Sequence, residues 1–188
     1  MFDTFQAEGA LPIGAADGAY LSNTLLLEKK FGWSGILAEP ALKFHDKLRA
    51  GRQCTLDFRC VWSKSGERLT FNETDVGELS TLEQFSTRDQ HSDARKNAKN
   101  YQVDTVSLDD LLKHHNAPKQ IDYMSVDTEG SELDILREFD FSAYDISVVT
   151  IEHNYEADTR EQIFRLMDGA GYRSEEHTSE LQSRETIS

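Results

Sequence analysis

The sequence predicts a doubly wound, Rossmann-like α/β fold, in which a mostly parallel sheet carries helices on both faces. Short apolar runs alternate with segments of helical periodicity along most of the chain. Two runs, residues 121–126 and 146–151, are typical of strands that are buried on both faces. Strands that alternate with helices pair in parallel through right-handed crossovers. At 188 residues, the chain has the size of one domain.

Each predicted element has a local signal. Leu21 and Leu25 share one face of the first helix, which Ser22 or Asn23 is suited to cap, and Pro40 closes the second strand. The predicted strands are residues 10–13, 35–39, 53–62, 68–71, 121–126 and 146–151. The predicted helices are residues 21–31, 42–50, 107–114, 132–139 and 160–167.

One long segment departs from this alternation. Residues 72–100 are polar, with only Leu79, Leu82 and Phe85 to bury, so we expect a surface insertion that is partly helical.

Composition limits the classes of function. The net charge of −14 opposes binding to nucleic-acid backbones and anionic membranes. No apolar run approaches the ~20 residues of a membrane span, and no basic start precedes an apolar run near the N-terminus. We therefore expect a cytoplasmic protein. Cys54 and Cys60 fall in one predicted strand, too far apart to bridge, and are expected to be reduced core residues.

Ligands of open α/β sheets bind at the carboxyl ends of the strands, so the residues that follow each strand are the candidates for a site. The first strand is followed by Gly14, Ala15, Ala16, Asp17 and Gly18, and then by Ser22 and Asn23. Glycines let the backbone approach a ligand closely, and the next helix offers free N–H groups to an anion. The spacing is not that of dinucleotide-binding loops, and about half of such loops are simple turns.

Glu39 ends the second predicted strand. An acid at this position is placed to accept both hydroxyls of an adenosine ribose. The alternative is a charge that serves only the N-terminus of the next helix.

Acidic residues also follow the strand of residues 121–126. Two acids, Asp127 and Glu129, are more than the capping of the next helix requires. Gly130 permits a sharp turn, and Glu132 is explained as an acid in the first turn of that helix. His153 follows the strand of residues 146–151, where the sheet presents its ligands, although a lone histidine is more often structural.

Together these segments resemble FkbM-type methyltransferases over about residues 13–172. The resemblance is carried by Gly14-Ala15-Ala16-Asp17-Gly18, Leu37-Ala38-Glu39-Pro40, Ser107-Leu108-Asp109-Asp110-Leu111-Leu112, Asp127-Thr128-Glu129-Gly130-Ser131-Glu132 and Glu152-His153-Asn154. It implies a class I methyltransferase fold, S-adenosylmethionine as methyl donor, and O-methylation of a hydroxyl on a sugar or small metabolite. Members usually carry an acid where this chain has Pro12, so residues 1–12 are an atypical start.

An alcohol needs a general base to become a good nucleophile. The candidates are Asp127 and His153, with Glu129 orienting one of them or the acceptor. Carboxylate oxygens also suit Mg²⁺, so a divalent metal near Asp127 stays open. Three alternatives remain: a NAD-dependent oxidoreductase, which the glycine spacing disfavours, a phosphohydrolase with Asp127 as nucleophile, and a cofactor-binding domain without activity.

Residues 173–188 resemble a translated sequencing adapter, and Leu181 and Ile187 are their only aliphatic residues. Such a segment buries too little to offset the entropy of ordering it. We therefore expect one domain over residues 1–172, a disordered artefactual tail, and a sheet that lacks the two C-terminal strands, one of them antiparallel, of a class I methyltransferase.

Overall fold

The computed structural model describes residues 10–13, 22–76, 79–86, 95–96, 98–153, 156–175 and 184–187. Its larger sheet has seven strands, of which five parallel strands lie side by side. In spatial order these are β3 (Thr55–Asp57), β2 (Ile36–Ala38), β1 (Ala10–Ile13), β8 (Gln120–Val126) and β9 (Asp145–Glu152). All four pairings among them are parallel, which confirms the predicted class of fold.

Among the described residues, five α-helices connect the strands: α1 (Leu25–Phe31), α2 (His45–Gly51), α3 (Leu108–His114), α4 (Glu132–Arg137) and α5 (Ala157–Gly169). Ser107 caps α3, because its hydroxyl accepts the Asp110 N–H at 3.2 Å. The predicted start of the first helix is early, since α1 begins at Leu25. Ser22 serves it nonetheless, accepting the Leu25 N–H at 3.1 Å.

A second sheet of four strands was not predicted. Its spatial order is β4 (Cys60–Trp62), β7 (Lys99–Ser107), β5 (Arg68–Glu73) and β6 (Thr81–Leu82). The polar segment that the sequence assigns to a partly helical insertion supplies β6, a 3-10 turn at Glu83–Phe85 and the start of β7. Leu82 and Phe85 are buried as expected, and Leu79 is half-buried.

The prediction of one strand over residues 53–62 is wrong. The carboxylate of Asp57 accepts the backbone N–H of Arg59, which turns the chain from β3 in one sheet to β4 in the other. Cys54 and Cys60 therefore do not share a strand. Both are free thiols, as expected, and burial raises the pKa of Cys54 to about 11 and that of Cys60 to about 12.

The core lies on both faces of the larger sheet. In β2, Ile36 and Ala38 join one buried cluster, while Leu37 between them joins another, as the alternation of side chains along a strand requires. The first cluster also contains Val126 of β8, and the second contains Leu48 of α2.

Pro12 lies in β1, which pairs with β2 on one side and β8 on the other. The structure thus places this proline in a central strand, where the sequence led us to distrust it. No helix in the described part of the chain is long and apolar enough to cross a membrane.

The predicted absence of C-terminal strands is wrong. Strands β10 (Ser174–Glu175) and β11 (Arg184–Ile187) extend the larger sheet beyond β9. β11 pairs antiparallel with β9, so it supplies the reversed strand that the class I sheet was expected to need. This edge of β9 is therefore covered by β11.

We predict that deleting residues 173–188 shifts the melting temperature by less than about 3 °C. Each backbone hydrogen bond stabilises by ~1 kcal/mol, whereas ordering one residue costs ~1–2 kcal/mol. With Leu181 and Ile187 as its only aliphatic residues, the tail adds little apolar burial to offset that cost. Calorimetric melting of the full and shortened chains tests this; a drop of several degrees would show that β11 stabilises the sheet.

Candidate active site

The carboxyl ends of four neighbouring strands lie level with one another. Ile13 of β1 is in register with Ala38 of β2 and with Val126 of β8, which is in register with Ile151 of β9. The residues that follow these positions therefore share one edge of the sheet. Among them are Glu39, Asp127 and Glu152. The predicted cofactor loop of Gly14, Ala15, Ala16, Asp17 and Gly18 lies outside the described residues.

Glu39 is buried directly after β2, with 5% of its surface exposed. Its Oε1 accepts the backbone N–H of Ala41 at 2.8 Å, just before a 3-10 turn at Leu42–Phe44. The local role that the sequence left open is therefore present. A carboxylate has about four acceptor positions, so the bond to Ala41 is compatible with accepting hydroxyls as well.

Ser22 and Asn23 lie just after the predicted cofactor loop. The Asn23 amide donates to Oγ of Ser125 in β8 at 2.8 Å, which ties this segment to the strand that precedes Asp127. The Ser22 hydroxyl serves α1 and also accepts from Nη1 of Arg52 at 3.2 Å. Ser22 thus has a structural role in addition to the one predicted for it.

Three carboxylates meet where β8 and β9 end. Oxygen atoms of Asp127, Glu129 and Glu152 all lie within 4.8 Å of one another, and all three residues are half-buried. Oxygen ligands at this spacing suit a hard divalent cation such as Mg²⁺. From the sequence we predicted Asp127 and Glu129 together with His153 at the end of β9. In the structure, the third member of the carboxylate group is Glu152.

Glu132 is turned inward, with 1% of its surface exposed. Its carboxylate accepts the backbone N–H of Thr128 at 2.7 Å and that of Gly130 at 3.0 Å. Burial raises the pKa of this carboxyl, and the backbone hydrogen bonds oppose that shift. The prediction that Glu132 serves only as an acid in the first turn of α4 is thus incomplete, because its carboxylate also holds the turn that carries Glu129.

Asp57 ends β3 level with Ala38, so it adds a further acid to the same edge. Its side chain pairs with Arg59 and lies 2.8 Å from Nε2 of His115, at the end of α3. Burial raises the pKa of Asp57, but the hydrogen bonds from Arg59 and His115 outweigh it and lower the pKa to about 2. Asp57 is therefore a charged side chain that links β3 to the end of α3 through its contact with His115.

A model of the methyltransferase FkbM domain matches residues 13–174. This range covers most of the chain, from the end of β1 to the start of β10.

The chain belongs to the FkbM methyltransferase family.

Comparison with curated proteins finds no match. Among solved structures, this FkbM domain is similar to a precorrin-6y C5,15-methyltransferase from Geobacter metallireducens GS-15. The identity is 10% and the TM-score 0.46, over 97% of this chain and 79% of the other.

His153 follows β9 directly in this FkbM domain and is half-buried. Its backbone carbonyl accepts the Glu156 N–H at 2.9 Å, which starts the turn into α5. Among the described residues, the group of three clustered carboxylates does not include it. Glu152, one position earlier, could have been found from the sequence, because it ends the same strand at the same edge of the sheet.

Proposed function

We propose that this FkbM domain transfers a methyl group from S-adenosylmethionine to a hydroxyl oxygen of a sugar or another small metabolite. The observation that carries the proposal is the shared edge at which buried Glu39 lies level with Asp127 and Glu152. One end of that edge suits an adenosine, and the other suits a reacting hydroxyl. Membership of a methyltransferase family disfavours the oxidoreductase alternative.

The residues present fit the cofactor. A buried carboxylate at the end of β2 is chemically suited to two ribose hydroxyls, since it accepts hydrogen bonds and donates none. Asn23, tied to β8 through Ser125, and the loop of residues 14–18 are the further groups that would hold it. When bound, S-adenosylmethionine supplies a methyl group already activated by the sulfonium.

The chain itself must then handle the proton of the acceptor hydroxyl. In methyl transfer to oxygen, the new O–C bond forms as the S–C bond breaks, and the hydroxyl proton passes to a base. A positioned base contributes about 10²–10⁴-fold. Asp127 and His153 are the candidates, and holding the acceptor in line contributes further.

The carboxylates of Asp127, Glu129 and Glu152 are also the set from which a divalent cation would take its ligands. Measuring methyl transfer with EDTA and after adding back Mg²⁺ decides this question. A Mg²⁺ requirement in the wild type that Glu152→Gln changes would assign the cation to these residues.

Glu39→Gln is expected to weaken S-adenosylhomocysteine binding by at least about tenfold, measured by titration calorimetry. Hydrogen bonds to a charged group stabilise by ~1.5–3 kcal/mol each, and ~1.4 kcal/mol is tenfold in affinity. Glutamine is chosen because its side-chain oxygen can still accept the Ala41 N–H, so the local turn is kept. Glu39→Ala removes both contacts and should bind more weakly still.

Glu161→Gln is the matched control, because this exposed acid lies on α5, where it pairs with Arg165 of the same helix. Unchanged affinity in Glu39→Gln would remove Glu39 from the cofactor site. Failure of the wild type to bind S-adenosylhomocysteine at all, together with binding of NAD, would favour the oxidoreductase alternative.

A further inference from the structure

The second sheet packs against the turn that carries Glu129, which we name the site turn and define as residues 127–132. Thr81 of β6 is buried, and its hydroxyl donates to the backbone carbonyl of Glu129 at 2.9 Å. Phe85 lies against Gly130 so closely that a Cβ there would come within 3.3 Å of the Phe85 Cβ. The polar insertion of the sequence thus reaches the candidate active site.

Arg95 reaches the same residue from the same insertion. Its side chain is 1% exposed. Nε donates to the Leu79 carbonyl at 2.7 Å, and Nη2 donates to Oε2 of Glu129 at 3.2 Å. A buried guanidinium therefore fixes the Glu129 carboxylate relative to the strand that carries Thr81.

Glu129 needs this support for two reasons. Its φ is 59°, in the left-handed region that non-glycine residues rarely adopt, so its conformation is imposed by its surroundings. Its carboxylate also lies within 4.8 Å of two like charges, on Asp127 and Glu152, and like charges repel. Arg95 offsets that repulsion and Thr81 holds the backbone.

We propose that Arg95 and Thr81 are positioning residues, through which the insertion and the second sheet, respectively, set the place and charge of Glu129 for methyl transfer. This inference rests on the proposed function of the site turn. The second sheet is then a part of the active site that orients the acceptor side, while cofactor binding depends on the end of β2.

The test compares Arg95→Gln, Arg95→Lys and Thr81→Val with the wild type. The control is Arg68→Gln, because Arg68 lies in β5 of the second sheet but pairs on the surface with Asp104. Three quantities are measured: S-adenosylhomocysteine affinity by calorimetry, kcat and KM for a panel of methyl pyranosides, and hydrogen exchange at the Thr128 and Gly130 amides. Both amides donate to Glu132 and report on the site turn.

We expect Arg95→Gln to lower kcat at least about tenfold, with KM and S-adenosylhomocysteine affinity changed less than about threefold and faster exchange at both amides. Arg95→Lys should restore part of the loss. Because the effect passes through Glu129, adding Arg95→Gln to Glu129→Gln should cause little further loss.

An Arg95→Gln variant with wild-type kcat and wild-type exchange overturns the proposal. The proposal also fails if Arg95→Gln loses cofactor affinity and turnover equally, or if kcat is no higher in Arg95→Lys than in Arg95→Gln. Either result indicates a general structural role. If the wild type binds S-adenosylhomocysteine but methylates none of the pyranosides, amide exchange alone tests the positioning role of Arg95. Faster exchange in Arg95→Gln with recovery in Arg95→Lys supports that role, and unchanged exchange refutes it. If the wild type does not bind S-adenosylhomocysteine, the proposed function fails, and unchanged exchange would separately refute the positioning role.

Discussion

Asp127→Asn is expected to lower methyl transfer by about 10²-fold or more, while S-adenosylhomocysteine affinity stays within about threefold. Asp127 follows the end of β8, beside Glu129 and Glu152, at the end of the shared edge that we propose for the acceptor. The amide keeps the shape of the side chain but can neither take a proton nor carry charge. The measurement is kcat for a methyl pyranoside acceptor, determined from the rate at which S-adenosylhomocysteine is released.

Asp134→Asn on α4 is the control, because it makes the same chemical change at a half-buried position near the site turn. His153→Ala separates the two candidate bases. Turnover that survives in Asp127→Asn but disappears in His153→Ala assigns the base to His153, and normal turnover in both variants removes both from the reaction.

The larger sheet could be predicted because its parallel strands are buried on both faces. Such strands read as apolar runs, and the central ones, β1, β8 and β9, were placed within one or two residues. The strand ends then indicated the site, since parallel strands present their carboxyl ends at one edge. Glu39, Asp127 and Glu129 were chosen as candidates in this way.

The second sheet could not be predicted, because its strands are polar or short. β7 buries Val103, Thr105 and Val106 but exposes most of its other residues, and β6 has only two residues. Burial of Thr81 and Arg95 follows from long-range contacts with the site turn, which local periodicity does not encode. The support of Glu129 was missed for the same reason.

A buried ion pair that was not predicted from the sequence joins α1 to the segment before β3. Arg52 is 2% exposed at its side chain and donates through Nε to Glu28 of α1 at 2.7 Å. Its other nitrogens donate to the hydroxyls of Ser22 and Thr24. Glu28 also accepts the Gln53 N–H at 2.9 Å. This network fixes the segment that follows the predicted cofactor loop.

The same network perturbs Glu28 strongly. Burial raises its pKa, but the hydrogen bonds and charge of Arg52 and the Gln53 N–H outweigh burial and lower the pKa from 4.5 to about 2. A shift of this size corresponds to about 3 kcal/mol. Because the pKa is lowered on folding, this stability is present above pH 4.5 and is lost as the pH falls through about 2.

Arg52→Met is therefore expected to lower the free energy of unfolding at pH 7 by about 3–5 kcal/mol, because it removes the buried cation of the Glu28 carboxylate and leaves it the half-exposed Lys29 at 3.3 Å. The loss should shrink as the pH falls from 7 to 4, since a buried Glu28 without Arg52 takes up a proton and stops opposing folding. Denaturant unfolding at several pH values measures both effects. S-adenosylhomocysteine affinity should also fall, because Ser22 and Thr24 lose a common donor.

Arg49→Met provides the control, because Arg49 is exposed and its pair with Asp46 should contribute less than about 1 kcal/mol. The double variant Glu28→Gln with Arg52→Met should recover part of the stability, because no unpaired charge is left in the interior. If Arg52→Met were no more destabilising than Arg49→Met, or if its stability loss did not change with pH, the ion pair would not be what holds α1 and the residues before it against the sheet.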